Sequence, residues 1–125
     1  MSGIRLVLDT NAIISLIRGN ELLLDSTNKA DFVGISIISF IEFLSFSNLS
    51  ENDRQLFEEI TKEMEILDIN NEDNKLINLI IQIRKDYRLK LPDAILTATA
   101  ISSNSDLITN DKAFQKLQEI TVITF

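Results

Sequence analysis

Along the chain, short uninterrupted apolar runs alternate with stretches in which apolar residues return every three or four positions. Residues 4–8 (IRLVL), 32–36 (FVGIS), 65–69 (EILDI), 106–109 (DLIT) and 120–124 (ITVIT) are short, apolar and bounded by polar residues, which predicts buried strands. Leu56, Phe57, Ile60 and Met64, and again Leu76, Ile80 and Ile83, fall at helical spacing. Helices are expected over 12–18, 21–27, 39–47, 52–64, 71–87, 92–102 and 112–118. Strands separated by helices, with no tight hairpin signal, imply crossover units and a largely parallel sheet covered on both faces. In such sheets ligands bind beyond the carboxyl ends of the strands.

Composition narrows what that sheet can carry. At 125 residues and 45% apolar content the chain suits a single domain over 1–125 with a core of its own. It has neither Cys nor His, which removes thiolate and imidazole catalysis and the usual zinc sites. Carboxylates and a hard, oxygen-binding cation are the catalytic tools left. The N-terminus lacks the pattern of a secretory leader and no run of eighteen apolar residues occurs, so a soluble, cytoplasmic protein with no membrane partner is expected. A formal charge of −7 argues against an extended basic surface for nucleic acid. Charge is uneven, however: RKDYRLK (84–90) gathers Arg84, Lys85, Arg88 and Lys90 just before the one proline. These cations read either as a solvated helix end that suits the C-terminal dipole or as contacts for phosphate.

Four acids stand where strands end or helices begin. Asp9 closes the first apolar run in RLVLDTNAII, where it also reads as an N-cap. Glu42 is the lone charge of SIISFIEFLSF (36–46); left unpaired in a core it would cost several kcal/mol, while Ser39 and Glu42 also have capping-box spacing. Asp93, in LPDAILTATA (91–100), follows Pro92 at what reads as the first helical position, at the mouth of a helix apolar or small on nearly every side. Asp111, in LITNDKAF (107–114), follows another apolar strand and reads alone as a turn or cap. A parallel sheet would bring all four to one edge, where they repel unless protons or cations intervene. Oxygen-only ligands favour Mg²⁺ or Mn²⁺.

VLDTNAII, ISIISFIEFL, LPDAILTATA and LITNDKAF, taken together and in this order, resemble the PIN-domain family, most nearly the VapC-type toxins of toxin–antitoxin pairs. The likeness in order, spacing and flanking residues runs from Ile4 to Phe125. It implies a three-layer α/β/α fold with a mainly parallel sheet of about five strands, and a Mg²⁺- or Mn²⁺-dependent endoribonuclease. It also implies RNA as substrate, an antitoxin partner and a homodimer. The resemblance gives Asp9, Glu42, Asp93 and Asp111 the role of metal-binding catalytic acids, Thr109 that of a supporting hydroxyl, and Asn11 that of a neighbour. Some members carry a further acid two residues after the last aspartate, where this chain has Ala113. A second metal is therefore not implied.

In-line hydrolysis of a phosphodiester needs no His: acids holding a cation can activate water and steady the leaving oxygen. Two divalent ions would move the formal balance from −7 to about −3, easing approach of an anionic substrate. Two other readings compete. A phospho-receiver module would use Asp68, within EILDIN (65–70), as acceptor, although the first strand lacks an adjacent acidic pair; a PIN-like domain with silent acids would only bind a partner.

Overall fold

The computed structural model of the chain describes residues 2–125. Five strands, β1 (Arg5–Leu8), β2 (Phe32–Ser36), β3 (Glu65–Leu67), β4 (Asp106–Ile108) and β5 (Val122–Ile123), form one sheet in the order β3-β2-β1-β4-β5. Every pairing is parallel. Six helices complete the described residues: α1 (Thr10–Ile17), α2 (Glu21–Lys29), α3 (Ile37–Leu44), α4 (Glu51–Thr61), α5 (Asn74–Tyr87) and α6 (Leu91–Ser102). No helix among them is long and apolar enough to cross a membrane.

The strands carry apolar residues on both faces because both faces are covered. Val7 and Leu107 join the core beneath α5 and α6, whereas Leu6, Leu8, Ile35 and Ile108 join the core beneath α1, α3 and α4. The result is three layers, helices on either side of the sheet. Burying each Leu or Ile contributes about 1.5–3 kcal/mol, and a one-residue slip of β1 would draw Asp9 into the ladder. The register is fixed by that penalty.

Helix α6 is the central one. Ala94 through Ala100 are all buried, and the small Ala and Thr side chains let the sheet and α5 approach from different sides. Helix α5 is instead amphipathic, burying Leu76, Ile80 and Ile83 along one stripe.

All of the expected strands and the first six expected helices are present, with shifted ends. Helix α3 starts at Ile37 because the Ser36 hydroxyl accepts from the Ile38 amide and caps it. The Ser39–Glu42 capping box is therefore absent: Ser39 lies inside the helix. Helix α5 begins at Asn74 because Asp73 caps the Leu76 amide. Helix α6 begins at Leu91, which makes Pro92 its second residue. The helix expected over 112–118 is a single 3₁₀ turn, Lys112–Phe114. Only Phe114 and Leu117 of that segment are buried, an anchorage that one tight turn satisfies.

Candidate active site

The acids meet at the carboxyl edge of the sheet, where β1 and β4 lie side by side. The chain order reverses here, with β2 on one side of β1 and β4 on the other. Asp9 is 6% exposed and both its oxygens are engaged. Oδ1 accepts from the Ala12 amide at 2.7 Å, capping α1, and Oδ2 accepts from the Thr109 hydroxyl at 2.5 Å. Its own amide donates to the Ile108 carbonyl at 3.1 Å, tying the end of β1 to β4. Thr109 is fully buried, and its oxygen also accepts from the Asp111 amide at 3.1 Å. One hydroxyl thus links the two strand ends. Asp111 caps the 3₁₀ turn through the Ala113 amide at 2.9 Å and is exposed.

Cap and cluster member are the same residue at Asp9 and again at Asp111. Together with Thr10, Asn11, Ser39, Glu42 and Asp93 they line one small cleft of about 130 Å³, closed below by Leu96 and Phe114. Asp93 stands half-buried in the first turn of α6. Glu42 is exposed, so the core penalty expected for it does not arise; its carboxylate accepts from the Thr10 hydroxyl at 3.2 Å. Helix α3 is not buried all round, since Ile41 is 53% exposed.

Burial raises the Asp9 carboxyl above its ordinary value, against the lowering effect of the Thr109 and Ala12 hydrogen bonds, and the charges of Asp111 and Glu42 raise it further. Burial likewise raises Asp93, with Asp111 and Glu42 adding to the effect and Lys90 opposing it. The acids feel one another across the cleft. The one ion pair of the described residues, Lys29 with Asp25, lies elsewhere, so no protein cation bridges them.

This donor set suits a hard divalent ion in chemistry, being carboxylate and hydroxyl oxygen throughout. Among the described residues no three acids converge tightly enough to form a complete cage. Mg²⁺ is ordinarily held by one or two carboxylates and keeps several waters, which matches acids spread around a small open cleft.

Arg84 and Lys85 occupy the last turn of α5, and Arg88 follows in the left-handed conformation at φ 54°. Lys90 precedes α6. All are exposed, and none lines the cleft. Asp68 borders a different cavity, beside Arg5 and Ser103, at the edge strand β3. The sheet order also differs from the 2-1-3-4-5 order of receiver modules, so the phospho-receiver reading fails. Thr10 and Ser39 also line the cleft, beyond the residues the sequence points to; Thr10 sits in the DTN motif itself, whereas the spacing of Ser39 to Glu42 also fits a capping box.

A family model described as PIN domain matches residues 6–120, and the chain belongs to the PIN-domain family. The fold is similar to that of VapBC2 from Rickettsia felis bound to a promoter DNA fragment, with a TM-score of 0.81 and 19% identity over 98% of this chain and 99% of that one. It is also similar to a toxin–antitoxin complex from Klebsiella pneumoniae, with a TM-score of 0.76 and 26% identity over 94% and 95%. VapBC-5 from Mycobacterium tuberculosis aligns with a TM-score of 0.67 and 18% identity over 97% and 98%. No curated protein matches the chain in sequence.

Proposed function

We propose that the chain is a Mg²⁺- or Mn²⁺-dependent endoribonuclease and the toxin of a toxin–antitoxin pair, working in the cytoplasm. The observation that carries this reading is the convergence of Asp9, Glu42, Asp93 and Asp111, from separate elements, on one cleft, with none of them in an ion pair among the described residues. Binding alone does not require such repulsion, which favours catalysis over a silent binding domain.

When bound, a divalent ion supplies a lowered pKa for coordinated water and neutralises charge on a phosphodiester. Asp9 and Asp93 would hold it, with Asp111 and Glu42 completing the shell directly or through water. Thr109 keeps Asp9 in place, and its donated hydrogen bond favours the ionised carboxylate that a cation needs. Glu42, exposed and hydrogen-bonded by Thr10, would either bind the ion through water or orient the attacking water and accept its proton. Asn11 borders the cleft as a polar contact for the substrate. Arg84, Lys85, Arg88 and Lys90 would meet flanking phosphates.

An antitoxin partner is supported by the likeness to toxin–antitoxin complexes. A separate groove of about 300 Å³, lined by Ile14, Ile17, Phe43, Phe46 and Leu49 together with Arg18, Ser47, Asn48 and Asp53, offers a face of mixed apolar and polar character for it. A homodimer belongs to the same reading.

The test is cleavage of mixed cellular RNA in Mn²⁺. Wild type should cut, excess chelator should stop it, and Asp9→Asn and Asp93→Asn should each lose at least a hundredfold in rate while remaining folded. Undiminished cutting in chelator, or by either variant, would end the proposal.

A further inference from the structure

Between Thr109 and Asp111 lies a residue that the site does not use. Asn110 turns its side chain away from the acids, and its amide pairs with the backbone of Phe125 on both sides. Nδ2 donates to the Phe125 main-chain oxygen at 2.8 Å, and Oδ1 accepts from the Phe125 amide at 2.7 Å. A primary amide here takes the place of a peptide group.

The rungs beneath it explain why that matters. Leu107 donates to the Thr121 carbonyl and Thr109 to the Ile123 carbonyl, as a parallel ladder with a two-residue period requires. Continued in this register, the next donor would be the Asp111 amide, directed at Phe125. Instead the Asp111 amide donates to Thr109 Oγ1. The backbone has left the ladder one rung early, and the Asn110 side chain fills the rung it vacated. Phe125 is itself anchored, packing half-buried against the core beneath α1, α3 and α4.

We propose that Asn110 is a positioning residue: its side chain completes the β4–β5 ladder so that the backbone can turn at Thr109 and present Asp111 to the cleft beside Asp9. The inference rests on the proposed reading of the cleft as a cation site. Asn110 does not line the cleft and acts through Thr109 and Asp111.

Three variants and two readouts, set beside thermal melts, test it. One readout is Mn²⁺ binding by the otherwise metal-free protein; the other is hydrogen exchange at the Asp111 amide with metal removed. Asn110→Ala should weaken Mn²⁺ by about tenfold, the usual effect of losing an outer-shell partner, and should speed exchange at Asp111 by a similar factor. Asn110→Asp, which keeps the acceptor for the Phe125 amide and loses the donor, should fall between it and wild type in exchange. Phe125→Ala removes the ring that anchors the backbone pair, so it should lower the melting temperature and shift Mn²⁺ affinity and Asp111 exchange in the same direction as Asn110→Ala, by less. If Asn110→Ala melts earlier yet matches wild type in both readouts, Asn110 is a structural latch and the inference is overturned. If wild type binds no Mn²⁺, the cation-site reading fails, and the exchange comparison alone decides whether Asn110 positions Asp111.

Discussion

The two charge clusters of this chain meet at the first turn of α6 and are built in opposite ways. On one side Asp9, Thr109 and Asp111 form a connected network in which a buried hydroxyl joins two strand ends. On the other, Arg84, Lys85, Arg88 and Lys90 stand exposed at the end of α5 and the start of α6, none in an ion pair. The charge of Lys90 acts across this boundary without an ion pair, opposing the rise that burial imposes on the Asp93 carboxyl. Asp9, buried and hydrogen-bonded at both oxygens, is held by the fold, so its position is set before any ligand arrives; the cations are held only by their stems. Charge that is buried and hydrogen-bonded is committed to one geometry, and exposed charge is not.

The largest stability effect should come from cutting the network at its centre. Thr109→Val removes the donor to Asp9 and the acceptor for the Asp111 amide while keeping the side chain's shape. Loss of hydrogen bonds at a buried carboxylate should cost about 1–3 kcal/mol in urea unfolding. A change within experimental error would show that the two strand ends are not joined as described.

A smaller effect should appear in the pH dependence of the chelated protein. Burial raises the folded Asp9 carboxyl above the unfolded value of about 3.9, so the folded state holds the proton more tightly. Its contribution to stability is fully present below the unfolded value and lost as pH rises through the folded one. Wild type should therefore lose stability relative to Asp9→Asn as pH climbs from below 4 towards neutrality, in thermal melts across that window. A difference that runs the other way would mean that the capping and Thr109 hydrogen bonds outweigh burial.

The cationic corner should give the smallest stability change and a different signature. Replacing Arg84, Lys85 and Arg88 with Gln should shift stability by no more than about 0.5 kcal/mol per site, since each is exposed. If they meet phosphates, the slope of RNA affinity against salt should fall by about one per lost contact. An unchanged slope would leave them as helix-end charges that suit the dipole of α5.

How much of this was legible in the sequence follows from the same contrast. The five strands and the helices α1 to α6 were readable because each rests on several apolar positions at regular spacing. The 3₁₀ turn was not, since Phe114 and Leu117 alone fit a helix as well as a single turn. Asp9, Asp93 and Asp111 were readable as acids at element ends, and their gathering followed from a parallel sheet. Glu42 was misjudged because the surrounding Ile and Phe residues suggested burial, whereas Ile41 is half exposed and Glu42 faces solvent. The pairing of Asn110 with Phe125 had no local signal, because it depends on where β5 ends relative to β4.

The central claim, that the carboxyl edge of β1 and β4 is a divalent-cation site built around Asp9, is tested most directly by thermal melts with and without Mn²⁺. Binding to the folded state alone should stabilise wild type by about 2.7 kcal/mol at a hundredfold excess over the dissociation constant. Asp9→Asn should lose most of that gain, with a metal-free stability at neutral pH equal to or above wild type, because the amide still caps α1 and carries no charge. A metal-free Asp9→Asn that is clearly less stable, with the same Mn²⁺ response as wild type, would contradict the account: Asp9 would be a cap alone, and the cation site would lie elsewhere.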